Sequence, residues 1–170
     1  KFSFEEIKNY YYRLADATAL PMLVYHFPAF SGVNMGMNEM KQFLNDDRFI
    51  GIKYTSNDFF TMEQCKTNFP DKIVYNGFDE MFLAGLSMGA NGGIGSTYNF
   101  MANKFVEIQK LFEAGDIKAA QTIQKEANRQ GIRQDILLEI NIGSEDSKSG
   151  FSADEVLPLL ERFSDFPNLR

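Results

Sequence analysis

A chain of 170 residues with 44% hydrophobic and 24% charged residues can bury one sizeable core and has the balance of a globular protein. The formal net charge of −6 gives no electrostatic footprint for nucleic acid or an anionic membrane surface, and no apolar run is long enough to span a bilayer. Its single cysteine, Cys65, excludes a disulfide framework and a cysteine-rich metal site, and with no leader-like segment at its start the chain reads as cytoplasmic.

Ser3 and Glu6 have the spacing of a capping box, stapled by Phe2 and Ile7. They predict a helix to about Ala17 that buries Ile7, Tyr10, Tyr11 and Leu14. Helical spacing puts two of the three rings Tyr10-Tyr11-Tyr12 in or beside the core. Pro21 ends this segment, and Met22–Phe27 reads as a buried strand stopped by Pro28. A loop through Ser31-Gly32-Val33 leads to a helix near Asn38–Leu44, a strand at Ile50–Thr55 and a short helix around Met62–Asn68. The third strand is Ile73–Asn76, stopped by Gly77. A helix from about Asp79 to Met88 follows, and then a short glycine-rich strand at Gly92–Gly95. Helices are expected over Asn99–Glu113 and Ile117–Gln130, with Gly115-Asp116 between them. A fifth strand at Ile136–Asn141 and a last helix over Ser152–Phe163 complete the pattern.

This alternation predicts βα units, a parallel sheet and an α/β fold in one domain spanning residues 1–170. Strand starts near residues 22, 50, 73 and 92 suit a (βα) barrel or a doubly wound sheet, but five strands cannot close an eight-stranded barrel. No G-x-G-x-x-G follows the first strand and no P-loop is present, so nucleotide-binding signals are absent.

Chemistry concentrates in Ile50-Gly51-Ile52-Lys53-Tyr54-Thr55, an apolar strand with a lysine inside it. Such a lysine has two readings. It can snorkel past the strand end into water. Alternatively, desolvation can disfavour its ammonium form and free the amine to attack a carbonyl and form a Schiff base. His26, the sole histidine, sits on the opposite strand face from Tyr25 and Phe27 and reads as structural, so no metal site is expected. Asp46-Asp47 and Glu145-Asp146 read as solvated loop charges, and the eight methionines as core filling.

Four segments in order carry a resemblance: Tyr25-His26-Phe27-Pro28 with Ser31-Gly32-Val33; Gly51-Ile52-Lys53-Tyr54-Thr55; Gly77-Phe78-Asp79-Glu80; and Gly92-Gly93-Ile94-Gly95-Ser96-Thr97-Tyr98-Asn99. Over about residues 1–128 the chain resembles the N-acetylneuraminate lyases, class I aldolases of the dihydrodipicolinate synthase superfamily, in roughly the second half of their barrel. The resemblance implies a partial TIM barrel of about five parallel strands with flanking helices, and catalysis without a cofactor. It implies that Lys53 forms the Schiff base with pyruvate or sialic acid. Tyr25 would carry a proton to and from the sugar's C4 hydroxyl during carbon–carbon cleavage. Thr55, Asp79, Glu80 and Ser96, with the backbone at Gly77, would bind the polyol of a sugar acid. The family's serine–threonine pair for the substrate carboxylate lies in strands this sequence does not match. The implied expectation is a scaffold without lyase turnover.

From about residue 130, Asp135–Gly143, Ser147-Lys148-Ser149-Gly150-Phe151 and Pro167-Asn168-Leu169-Arg170 resemble a second barrel family, the pyridoxal-phosphate homeostasis proteins. That implies an engineered or recombined chimera of residues 1–128 with a strand–helix unit at 129–170, joined somewhere in Gln121–Gln134, with continuous helix expected over Gln121–Arg129. Pyridoxal phosphate is then the alternative ligand, and a designed scaffold without activity the third reading. No nucleic-acid or membrane partner is expected. Exposed sheet edges predict a homo-oligomer.

Overall fold

The computed structural model of the chain describes residues 2–129 and Pro158. The chain divides into two compact units, Lys1–Ala127 and Asn128–Arg170, and the sheet belongs to the first. Helix α1 (Phe4–Thr18) precedes β1 (Met22–His26), and α2 (Pro28–Ser31) and α3 (Met37–Leu44) precede β2 (Phe49–Tyr54). Then come α4 (Phe59–Asn68), β3 (Ile73–Asn76), a 3-10 turn (Asp79–Met81) running into α5 (Phe82–Ser87), β4 (Gly92–Gly93), α6 (Tyr98–Glu113) and α7 (Ile117–Arg129). The helix expected through Gln121–Arg129 is continuous. The predicted fifth strand at Ile136–Asn141 and, Pro158 apart, the last helix at Ser152–Phe163 lie outside the described residues.

The sheet is parallel with strand order β1-β2-β3-β4, the order of the sequence. Consecutive parallel strands joined by right-handed crossovers put the helices that connect them on one side, the half-barrel arrangement rather than the doubly wound one. Burial agrees: Val24, His26, Ile52, Tyr54, Val74 and Asn76 alternate onto the helix side and are at most 1% exposed. Removing an Ile or Phe side chain from water in such a layer contributes about 1.5–3 kcal/mol. Below the sheet Phe43 meets Phe49 edge-on at 5.1 Å, with Phe4, Tyr11 and Tyr12 around them. The Arg48 guanidinium lies 5.0 Å from the Tyr12 ring centre and pairs with Asp46 at 2.7 Å and with Asp16.

Local chemistry accounts for the element starts. The Ser3 hydroxyl accepts the Glu6 N–H at 3.3 Å while the Ser3 N–H donates to the Glu6 carboxylate at 2.7 Å, the reciprocal capping box of α1. The buried stripe of α1 differs from the expected one. Tyr10 is 62% exposed and Ala15 is the helix's buried residue, because Tyr11 and Tyr12 are the rings that face Phe43 and Phe49. Pro28 does more than stop β1; it opens α2, where its missing N–H would have had no partner anyway. Helix α4 begins at Phe59, before the expected Met62, since the Asp58 carboxylate accepts the Thr61 N–H at 3.1 Å and caps it. Gln124 of α7 reaches back to the start of α5. Its Oε1 accepts the Leu83 N–H at 3.2 Å, and its Nε2 donates to the Asp79 carbonyl at 3.4 Å. Among the described residues, no helix is long and apolar enough to cross a membrane.

Candidate active site

All the expected site residues lie at the carboxyl ends of the strands or in the turns just beyond them. Tyr25 of β1 is opposite Lys53 of β2, which is opposite Tyr75 of β3. Strict alternation turns this row away from the helix layer. The Lys53 Nζ lies 4.2 Å from the centre of the Tyr25 ring, a cation–π contact that orients it, and among the described residues no carboxylate forms an ion pair with it. Tyr25 is 46% exposed and stacks on Phe27 at 5.8 Å, so the pair sits on the accessible side of the sheet.

Backbone hydrogen bonds carry the sheet one residue past each strand. The Thr55 N–H donates to the His26 carbonyl, Gly77 N–H to Tyr54 and Ile94 N–H to Asn76, at 2.8, 2.8 and 3.0 Å. Thr55 is buried, and its Oγ1 rests on Gly77, where a Cβ would collide with it. Glycine is therefore required at position 77 for close approach rather than for backbone freedom. Beyond Gly77 the chain turns at once into the Asp79–Met81 turn, which buries Asp79 and leaves Glu80 exposed.

Asp79 is the best-tied carboxylate of the group. Its Oδ2 accepts the Thr97 N–H at 2.7 Å and the Thr97 hydroxyl at 2.6 Å, across the turn from β4 to α6. Its Oδ1 is buried against Gly95, where a Cβ would overlap it. Ser96 lies between these two contacts with its side chain exposed, and its carbonyl accepts the Asn99 N–H and side-chain amide. Next in sequence, the Tyr98 hydroxyl packs on Gly93, and burial, then the charges of Asp79 and Glu80, push its pKa well above the ordinary phenol value. Thr97, Gly95 and Gln124 were not among the expected site residues. A threonine just before a helix was the available signal for Thr97, while the reach of Gln124 over 45 residues left none.

The opposite side of the sheet holds a second polar cluster. His26 is 1% exposed, its ring 4.9 Å from Tyr54, and burial lowers its pKa to about 4 despite the nearby Asp58 charge. The Tyr54 hydroxyl donates to the Asp58 carbonyl at 2.9 Å, and burial pushes the Cys65 thiol up to about 12. The His26 ring is thus enclosed and held neutral, with the Asp58 carboxylate at the exposed edge of the cluster. No group of three or more His, Cys, Asp or Glu side chains among the described residues could hold a metal ion.

The arrangement thus offers an amine beside a phenol on one end of a parallel sheet, followed by hydroxyl and carboxylate groups on adjacent turns. Comparison with known proteins gives this a lineage. The N-acetylneuraminate lyase of Rhizobium meliloti is 47% identical over 128 residues, which are 75% of this chain and 42% of that protein. Among solved structures, the N-acetylneuraminate lyase of Fusobacterium nucleatum complexed with pyruvate superposes with a TM-score of 0.71 at 37% identity, over 75% of this chain and 43% of its own. CdNal of Clostridium difficile, in complex with mannosamine, superposes with a TM-score of 0.73 at 34% identity, over 75% and 44%. The chain spans less than half the length of each. None of these matches supports a pyridoxal-phosphate fragment or a splice. The profile of the dihydrodipicolinate synthetase family matches residues 1–142, past the boundary expected near residue 128, and the chain belongs to that family.

Proposed function

We propose that this chain carries the imine-forming and polyol-binding elements of an aldolase of the N-acetylneuraminate lyase type. The observation that carries the reading is the Lys53–Tyr25 pair, in register on neighbouring parallel strands with Nζ 4.2 Å from the ring centre. The Lys53 amine attacks the keto carbon of pyruvate or of a sugar acid, and water leaves as the carbon–nitrogen double bond forms. Tyr25 carries the proton to and from the hydroxyl next to the bond that breaks. Thr55, Gly77, Asp79, Glu80 and Ser96 hold the polyol. The relatives solved with pyruvate and with mannosamine fit the two halves of this division.

The test is reduction with borohydride in the presence of pyruvate, followed by peptide mass mapping of the 170-residue chain. A reduced adduct on Lys53 is expected; no adduct, or one spread over several lysines, rejects the reading. Turnover of sialic acid by these 170 residues is expected to fall below detection. No matched motif supplies the serine–threonine pair for the substrate carboxylate, and one positioned donor to developing charge is typically worth about 10²–10³ in rate. The same proposal keeps self-association through the outer edge of β1, read by solution mass. At that edge the Tyr25 N–H is already taken by the Tyr11 hydroxyl at 2.8 Å, so a partner strand must displace it. The alternative of a pyridoxal-phosphate protein rests on residues 130–170, and an absorbance scan with the cofactor decides it.

A further inference from the structure

We propose that Thr97 is a positioning residue for the polyol subsite, acting through Asp79; this rests on the reading above. Asp79 is 8% exposed, and no cation faces it in an ion pair among the described residues. Its charge is held by two hydrogen bonds to one oxygen, the Thr97 N–H at 2.7 Å and the Thr97 hydroxyl at 2.6 Å on Oδ2. Bonds to an ionised acceptor are the stronger kind, and two donors on one oxygen set the carboxylate's rotation. That rotation leaves Oδ1 as the acceptor without a hydrogen bond, enclosed under Gly95.

A capping role for α6 accounts for Oδ2, since an acidic group at a helix N-terminus is stabilising. It gives no reason for burying a second carboxylate oxygen without a donor, which is costly. A ligand hydroxyl donating to Oδ1 supplies that donor. Gly95 is the residue that must shift to admit it, and it has no side chain to repack. Ser96, between Gly95 and Thr97, then moves with the turn and presents its hydroxyl to the same ligand. Thr97 thereby decides how tightly a polyhydroxylated aldehyde is held, without touching it.

The test uses the full ¹⁵N-labelled chain titrated with N-acetylmannosamine, reading the amides of Gly95, Ser96 and Thr97. Saturable shifts of all three are expected in the unmodified chain. Thr97→Val, which keeps the N–H and the side-chain shape but loses the hydroxyl donor, weakens binding about tenfold, the usual worth of one hydrogen bond to a charged group. Thr97→Ser, which keeps both donors, binds within about twofold of the parent. Asp79→Asn keeps the shape and loses the charge, and is expected to weaken binding about tenfold as well; it carries the test if Thr97→Val does not fold. Amides that stay still at saturating sugar, or Thr97→Val or Asp79→Asn binding like the parent, overturn the proposal. Borohydride labelling of Lys53 in the unmodified chain is read in parallel. Labelling without amide shifts sinks the Thr97 proposal and leaves the imine-forming role of Lys53 standing, and shifts without labelling sink that imine-forming role alone.

Discussion

Lys53 and Ile52 are neighbours in β2, yet they belong to opposite faces of the sheet and to different kinds of chemistry. On the helix side, Ile52, Val24, Val74, Tyr54, His26 and Asn76 are sealed from water, and each packs into a layer that tolerates little change in volume. On the other side, Lys53 and Tyr25 meet in the open, with a ring face as the lysine's partner. Because successive side chains alternate, the sealed row fixes the register of the strands, and that register then brings Tyr25 opposite Lys53. One face holds the sheet in place; the other is free to carry reactive groups.

The largest effect that would sharpen this contrast is all-or-none. Lys53→Ala should abolish pyruvate labelling while moving the unfolding midpoint by no more than the contact with Tyr25 is worth, about 0.5–1 kcal/mol. A large loss of stability in that variant would mean that the lysine is part of the packed core. One residue earlier, Ile52→Ala should do the reverse, costing about 2–5 kcal/mol in denaturant unfolding through the lost burial and the cavity. Labelling per folded molecule should stay as in the parent chain. A cost under about 1 kcal/mol would break the distinction between the faces.

The sealed face also predicts a pH dependence. Burial depresses His26 from 6.5 to about 4, so the unfolded chain takes up a proton that the folded chain refuses. Stability from this residue is fully present above pH 6.5 and is lost as pH falls towards 4, by roughly 3 kcal/mol in all. The lowered carboxyls of Asp46 and Asp58 act in the same direction but further down, below their ordinary value of 3.8. Denaturant unfolding between pH 7 and 4.5 measures the His26 part, and His26→Gln should flatten it. An equally steep profile in that variant would place the proton elsewhere.

The smallest effect concerns the sheet edge. Tyr11→Phe removes the hydroxyl that accepts the Tyr25 N–H and should cost about 1 kcal/mol. Amide exchange at Tyr25 should quicken while that at Val24 does not change. Unchanged exchange at Tyr25 would show that this hydrogen bond does not protect the edge.

Much of this is legible in the sequence. The alternation of helical and extended patterns, the Ser3–Glu6 capping box and the apolar strands are local signals, and within residues 2–129 the structure has each of them. The parallel sheet followed from the βα rhythm, and the arrival of Tyr25 and Lys53 on consecutive strands from the motifs that hold them; strand order and register came from the fold. Less legible was which ring of Tyr10-Tyr11-Tyr12 stays outside. Both Tyr10 and Tyr11 are compatible with one amphipathic helix, and the position of Phe43 and Phe49 decides between them.

What the sequence by itself determined, then, is local: where the backbone coils or extends, and which residue types arrive at the strand ends. Tertiary structure alone decided the partners. Thr97 holds Asp79 from 18 residues away, Gln124 reaches the Asp79 carbonyl over 45, and the Tyr11 hydroxyl finds the Tyr25 N–H over 14. No periodicity encodes such contacts. They follow from the packing of helices on a sheet whose register is set by burial, and each one satisfies a polar group that folding had taken from water.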